Sequence, residues 1–174
     1  IVPPIAIETD SVDLWIEESK NPKSTQLQKT IILNKAYQYA LSTTSDSLKS
    51  KYFSTLSVNL YSKGDSTLFR KVNKRSISLN QKRNDSLSIG NRYWDLALFF
   101  DRYSVKDSAY YSYFEAQKIF ENTKELQLSG RMYFEMAKIQ SDVKDYVGSE
   151  TTIMRAIEIF KSLNDYLYLY NTNK

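Results

Sequence analysis

The chain resembles itself at an interval of about 40 residues, and that self-similarity restricts it to architectures made by stacking one supersecondary unit on the next. Three copies align. The first runs from Asp46 to Asn84, the second from Asp85 to Lys124 and the third from Glu125 to Asn164, and Asp165 opens a fourth that stops at Lys174. The second and third align without a gap. Gly90 meets Gly130, Tyr93 meets Tyr133, Leu96 meets Met136, Ala97 meets Ala137, and Phe99 meets Ile139. Further on, Ala116 meets Ala156, Ile119 meets Ile159, and Phe120 meets Phe160. The first copy is looser, offering Val58 for the first alanine and Ser76 for the second, with one residue missing from its turn.

Each copy reads as two amphipathic helices. Tyr93, Leu96, Ala97 and Phe100 fall at i, i+3, i+4 and i+7; Tyr113, Ala116, Gln117 and Phe120 repeat that spacing, with Gln117 the polar exception. Polar, turn-like stretches separate the helices: Lys63-Gly64-Asp65, Arg102 to Ser108, and Asp142 to Gly148. An acidic residue opens each copy, where negative charge favours a helix N-terminus. The recurring alanines let two helix axes approach while larger neighbours fill the remaining space. Leu27 to Ser42 reads as a further amphipathic helix, and Ser11 to Lys20, ended near Pro22, as its short partner with Trp15 packed in a cap. From Lys23 onward there is no proline, and the whole chain holds 4 glycines, which favours helix because both residues penalise helix interiors.

The expected fold is therefore all-α, with antiparallel helix pairs. The chain divides into an N-terminal segment with a short helix (1–23), a degenerate leading-repeat helix (24–45), three repeats (46–84, 85–124 and 125–164) and the truncated start of a fourth (165–174). The Tyr166-Leu-Tyr-Leu-Tyr170 run alternates like a strand, but its place in the repeat makes it a first helix. Without a second helix to cover it, that segment is expected to expose apolar surface and either to fray or to pair with another molecule in an artificial dimer.

At these residues the sequence resembles the tetratricopeptide repeat. Tyr93, Leu96, Ala97 and Phe100 match that family's first helix, and Ala109, Tyr113 and Ala116 its second. In the third copy the matching residues are Tyr133, Met136, Ala137 and Gln140, then Ser149, Ile153 and Ala156. The resemblance covers roughly residues 27–174. It implies a right-handed solenoid whose first helices line a concave binding face. The family's period is about 34 residues, shorter than here, so either the helices or the connections between hairpins are longer. Its proline at the repeat end is absent. More narrowly, Met136-Ala-Lys-Ile-Gln140 followed by Asp145-Tyr-Val-Gly-Ser-Glu150, with the tyrosine richness and the longer period, resembles N-terminal sensor regions of bacterial two-component histidine kinases. Related repeats also precede helix-turn-helix regulators. The resemblance implies a periplasmic or extracytoplasmic sensor region of an inner-membrane protein. The alternative is a cytoplasmic adaptor, or the regulatory region of a helix-turn-helix transcription factor. The chain opens at Ile1 as a processed chain does, so an earlier export segment is compatible with it.

Catalysis is not expected of these residues. Histidine and cysteine are both absent, which removes the commonest general base, the commonest metal ligands and any thiolate. The glycines are isolated, so no phosphate-cradling loop is present. Asp142 and Asp145 are read as turn residues, since a Ca²⁺ loop needs denser oxygen ligands. No cofactor and no metal are expected. Net charge is only +4, which gives no reason to expect direct nucleic-acid binding. No apolar run spans a membrane, so membrane attachment would come only through flanking segments. Arg70, Lys71, Lys74 and Arg75, with Lys82 and Arg83, form a basic cluster. It is read as a solvated helix face, with an anion, lipid-headgroup or nucleic-acid patch as the alternative.

The expected activity is binding, of a protein or peptide partner or of a second copy as a homodimer. Projecting the helical register onto the first-helix face gives Tyr52, Thr55 and Asn59, then Asn91, Trp94, Asp95 and Leu98, then Arg131, Phe134 and Lys138. Aromatic and arginine anchors dominate recognition of this kind. Trp94 and Phe134 read equally well as packing between adjoining repeats.

Overall fold

Capping chemistry sets the frame. The computed structural model describes residues 11–63, 66–165 and 167–169. The turn expected at Lys63-Gly64-Asp65 falls partly outside them, as do residues 1–10, the Tyr166 and Tyr170 ends of the tyrosine-rich run and residues 171–174. Among the described residues eight helices follow one another, α1 (Ser11–Ser19), α2 (Gln26–Ser42), α3 (Asp46–Lys63), α4 (Ser66–Lys82), α5 (Ser86–Arg102), α6 (Lys106–Asn122), α7 (Leu126–Asp142) and α8 (Tyr146–Ser162), and a further helical stretch covers 167–169. No strand occurs among the described residues. The fold is all-α, with consecutive helices packing neighbour to neighbour.

From α2 onward the helices start 20 residues apart. Thr25 caps α2 with a full capping box, its hydroxyl taking the Gln28 amide while the Gln28 side chain takes the Thr25 amide. The Ser45 hydroxyl accepts from the Leu48 amide at 3.4 Å, so Ser45 rather than Asp46 caps α3. Asp85, Val105, Glu125 and Asp145 hold the N-cap positions of α5 to α8. The Asp165 carboxylate then accepts from the Tyr168 amide. These positions fall every 20 residues.

The helix ends repeat in the same phase. Asn84, Ser104, Lys124, Lys144 and Asn164 all have positive φ, between 53° and 66°. Each closes a Schellman turn. At Lys124, for example, the Lys124 amide donates to Glu121 and the Glu125 amide to Phe120. The residue that completes one such turn is the N-cap of the next helix. The connections are therefore three residues long, 103–105, 123–125 and 143–145, and adjoining helices must run antiparallel.

Two expectations change as a result. The stretches from Arg102 to Ser108 and from Asp142 to Gly148 are mostly helix, because the tight turn needs only three residues. The extra length relative to a 34-residue repeat lies in the helices, each of α5 to α8 being 17 residues, and not in the connection between hairpins. In the first copy, Ser57 is fully buried while Val58 is largely exposed. Ser57, 40 residues before Ala97, is the small residue of that helix. It accepts a hydrogen bond from the buried Asn73 amide of α4 at 3.3 Å.

The chain forms two compact units, residues 1–79 and 80–174. In the first, α1 packs on α2 and α3 through Val12 and Ile16, joined by Ala36, Ala40, Phe53, Leu56 and Leu60. Trp15 sits edge-on to Tyr39 with the Lys35 ammonium 4.6 Å from its ring centre, which is the cap packing expected of it. In the second unit α5 to α8 pack in succession; α5, α6 and α7 share a core of Ala97, Ala109, Tyr113, Ala116, Phe120, Met132, Met136 and Ile139, and α8 buries Ala156 and Phe160. Gln117 is buried there and donates to Glu121 at 2.7 Å and to Ser129 at 3.3 Å, which satisfies its amide.

Two glycines leave room for buried rings of the facing helix. A methyl group on Gly90 would lie 2.8 Å from Phe120 Cε1, and one on Gly130 would lie 2.9 Å from Phe160 Cε1. Both rings are fully buried. Burial of each ring stabilises its hairpin by about 1.5–3 kcal/mol, and glycine leaves the room for it.

Candidate functional site

The first-helix face of the second unit carries one assembled group. Trp94 projects from α5 and Arg131 from α7. The Arg131 guanidinium carbon lies 4.5 Å from the Trp94 ring centre. It also lies 5.5 Å from the ring centre of Tyr168, in the short helical stretch 167–169. An arginine held between two aromatic faces is favoured by their quadrupoles and has little rotamer freedom left to lose. All three side chains are partly exposed.

The rings are themselves held from behind. Trp94 meets Phe120 of α6 edge-on at 6.3 Å. Tyr168 stacks on Phe160 of α8 at 4.8 Å, with the planes 14° apart. Phe120 and Phe160 are the rings seated against Gly90 and Gly130, so the glycine crossings also support this group. A hydrogen bond of 2.6 Å from the Gln127 amide to Asp165 ties the start of the last described stretch to α7.

Among the described residues, Arg131 makes no hydrogen bond and no ion pair. Its guanidinium carbon is flanked by the two rings, and its N–H groups carry no hydrogen bond to the described residues. A planar guanidinium so held presents a fork of donors matched to a carboxylate.

The other expected residues are placed as follows. Asn91 and Leu98 are half-buried on α5, and Leu98 packs against the core of the unit. Phe134 is half-buried on α7 with the Lys138 ammonium 5.7 Å from its ring centre, and Lys138 is bridged to Glu135 at 2.7 Å. Asp95 is buried and faces inward, 3.3 Å from Arg92, which is buried as well. Desolvation lowers the Arg92 pKa from its usual value, and Asp95 opposes that shift. Tyr52, Thr55 and Asn59 lie on α3 of the first unit, where Tyr52 is buried against Tyr39 at 5.9 Å. Asn59 there donates to the Thr55 carbonyl, a local helix bond.

Trp94 and Arg131 thus meet directly, while Asp95 and Tyr52 support the packing. Tyr168 is absent from the projected set. The 40-residue register aligns it with Leu128, which lies one helical turn before Arg131 and outside the projected set, so the projection as made does not reach it. Arg92 could not be found that way, since its counterpart Met132 is an ordinary core residue.

At the opposite end of α5 and α7, Lys106 bridges Asp101 at 2.9 Å and Asp142 at 2.8 Å. Both hydrogen bonds, Asp142 first, raise the Lys106 pKa, and the same contact lowers that of Asp142. Asp145 is spent on capping α8. No group of three or more metal-ligating side chains occurs among the described residues, and none of the described helices is long and apolar enough to cross a membrane. No protein-family model matches the chain, and no curated protein matches its sequence.

Proposed function

We propose that the chain is a non-catalytic repeat domain that binds a protein or peptide through a carboxylate, taken by Arg131 between Trp94 and Tyr168. One observation carries this reading: a guanidinium flanked by two rings, at 4.5 Å and 5.5 Å, with its hydrogen-bonding edges unengaged among the described residues. A partly exposed arginine flanked by aromatics combines the two residue types that dominate binding hot spots. Asn91, Phe134 and Lys138 extend the same first-helix face and supply further polar and apolar contacts. The helical repeat, with its small residues in phase, supports a tetratricopeptide-like arrangement, in which such a face is the binding face.

Peptides selected against the whole chain from a display library test this. They should carry an acidic side chain or a free C-terminal carboxylate at a constant position. Arg131→Ala and Trp94→Ala should each weaken them by about tenfold or more while the circular dichroism spectrum stays helical. Selected peptides that bind both variants like wild type would remove the site.

The finer placement, a periplasmic sensor region of a two-component histidine kinase, rests on the sequence resemblance alone. The coding sequence on either side tests it. An export signal before Ile1, with a transmembrane helix and kinase core after Lys174, is the expected result; a helix-turn-helix would replace it with a regulator.

A further inference from the structure

The first unit holds a second candidate site of different chemistry. A cleft of about 580 Å³ opens between α2 and α4, lined by Tyr37, Gln38 and Leu41 from one helix and Lys71, Lys74, Arg75 and Ser78 from the other. The four α4 residues fall at i, i+3, i+4 and i+7, so they share one face of that helix. The cleft contains three cations and no carboxylate.

Charge is segregated well beyond the cleft itself. Helix α4 carries five basic residues (Arg70, Lys71, Lys74, Arg75 and Lys82) and no acidic one. Helix α2 carries Lys29 and Lys35 and again no acidic residue. Elsewhere on the surface, Lys51, Lys106, Lys118 and Lys138 each meet a carboxylate. Lys71, Lys74 and Arg75 have no such partner among the described residues, although they crowd one helical face. Like charges at that spacing repel, so their placement disfavours the free cleft and favours one holding an anion.

Beside the cations lies a less polar wall. Tyr37 is buried against Phe53 at 6.1 Å between ring centres, and Leu41 is half-buried. Gln38 and Ser78 are exposed and add neutral hydrogen-bonding groups. The volume falls within the range of about 300–1,000 Å³ found for small-molecule sites, more than an inorganic ion fills. Each phosphate brings roughly 1.5–2 negative charges at neutral pH, so about two phosphates balance three cations.

We propose that the α2/α4 cleft binds an organic phosphate, with its phosphates on Lys71, Lys74 and Arg75 and its organic body against Tyr37 and Leu41. The ligand is either a soluble phosphate compound or a phospholipid headgroup. This site lies in the first unit and is independent of the Arg131 face.

The test has two arms on the whole chain. In the soluble arm, inorganic pyrophosphate is titrated while amide chemical shifts are followed. In the membrane arm, flotation is measured with phosphatidylcholine vesicles containing or lacking phosphatidate. The proposal expects saturable shifts centred on Gln38, Lys71, Lys74, Arg75 and Ser78, or flotation that requires phosphatidate. Soluble binding alone assigns a free phosphate compound; flotation assigns a headgroup. The triple variant Lys71→Gln, Lys74→Gln, Arg75→Gln should lose at least about tenfold in affinity, with its helical spectrum unchanged, because charge-assisted bonds are lost. A matched control, Lys124→Gln, Lys144→Gln, Lys161→Gln, removes as much charge from other exposed positions and should bind as wild type. Lys74→Gln alone serves if the triple variant fails to fold, and should weaken binding measurably. No binding in either arm, or equal losses in the matched control, overturns the proposal. Tighter binding of a mixed-sequence RNA than of pyrophosphate overturns it too.

Discussion

Replacing Gly130 by alanine sets two opposed effects of similar size against each other. Gly130 lies within α7, and an alanine in a helix interior is favoured over glycine by about 1 kcal/mol. Against this, the new methyl would sit 2.9 Å from Phe160 Cε1, 3.0 Å from Phe160 Cζ and 3.1 Å from Ile159 Cγ2. Carbon atoms at rest lie about 3.5–4.0 Å apart, so the ring must retreat by more than half an ångström. The Phe160 ring is fully buried, and Tyr168 is stacked on it at 4.8 Å. Retreat therefore strains two side chains, and overpacking of this kind costs about 1–3 kcal/mol. The packing term wins, and the net loss is about 1 kcal/mol, a fall in melting temperature of roughly 2–4 °C for a chain of this length. Thermal and urea unfolding followed by circular dichroism measure it. A double-mutant cycle with Phe160→Leu separates the terms: once the ring is gone, Gly130→Ala should become stabilising, by the propensity gain of about 1 kcal/mol. Gly90→Ala faces Phe120 at 2.8 Å and should behave alike. If Gly130→Ala raises the stability of the wild-type chain, glycine is not required at the crossing.

Three further outcomes are expected. Lys124 occupies a left-handed conformation with φ 62°, so Lys124→Gly should stabilise by about 0.5–1 kcal/mol after the unfolded-state entropy of glycine is deducted; a lower melting temperature would remove that strain argument. Asp145→Ala deletes the bond to the Gly148 amide and should cost about 1 kcal/mol, whereas Glu125→Ala, at a cap with no side-chain bond, should cost a few tenths of that. Equal losses in urea unfolding would contradict the cap assignment. Asp142 is held below the usual carboxylate range by Lys106, so its contribution is present at neutral pH and is lost as pH falls through the depressed folded value. Lys106 is raised, so its contribution is complete below the ordinary lysine value and is lost as pH rises through the raised folded value. Carboxyl NMR titration should show the Asp142 midpoint moving up in Lys106→Met, and an unchanged midpoint would show that the ion pair does not form.

The sequence determined the fold class, because it repeats. Small and large residues returning in phase, with no proline after Pro22, admit only helices that stack on their neighbours, and α1, α2 and α5 to α8 begin within a few residues of where periodicity puts them. The 20-residue backbone period was harder to read. Its left-handed turn residues are Asn, Ser and Lys rather than glycine, and its N-caps are as unlike as Ser45, Val105 and Glu125, so side-chain identity carries little of the signal. Trp94 and Arg131 could be assigned to equivalent faces of two first helices from spacing alone. That they touch, that Tyr168 completes the stack, and that Asp95 turns inward to Arg92 depend on packing between helices. The cleft between α2 and α4 arises in the same way. A sequence shows which basic residues share a face of one helix, but only the fold shows that the facing helix brings no carboxylate to neutralise them, because residues more than 30 positions apart meet through tertiary structure alone.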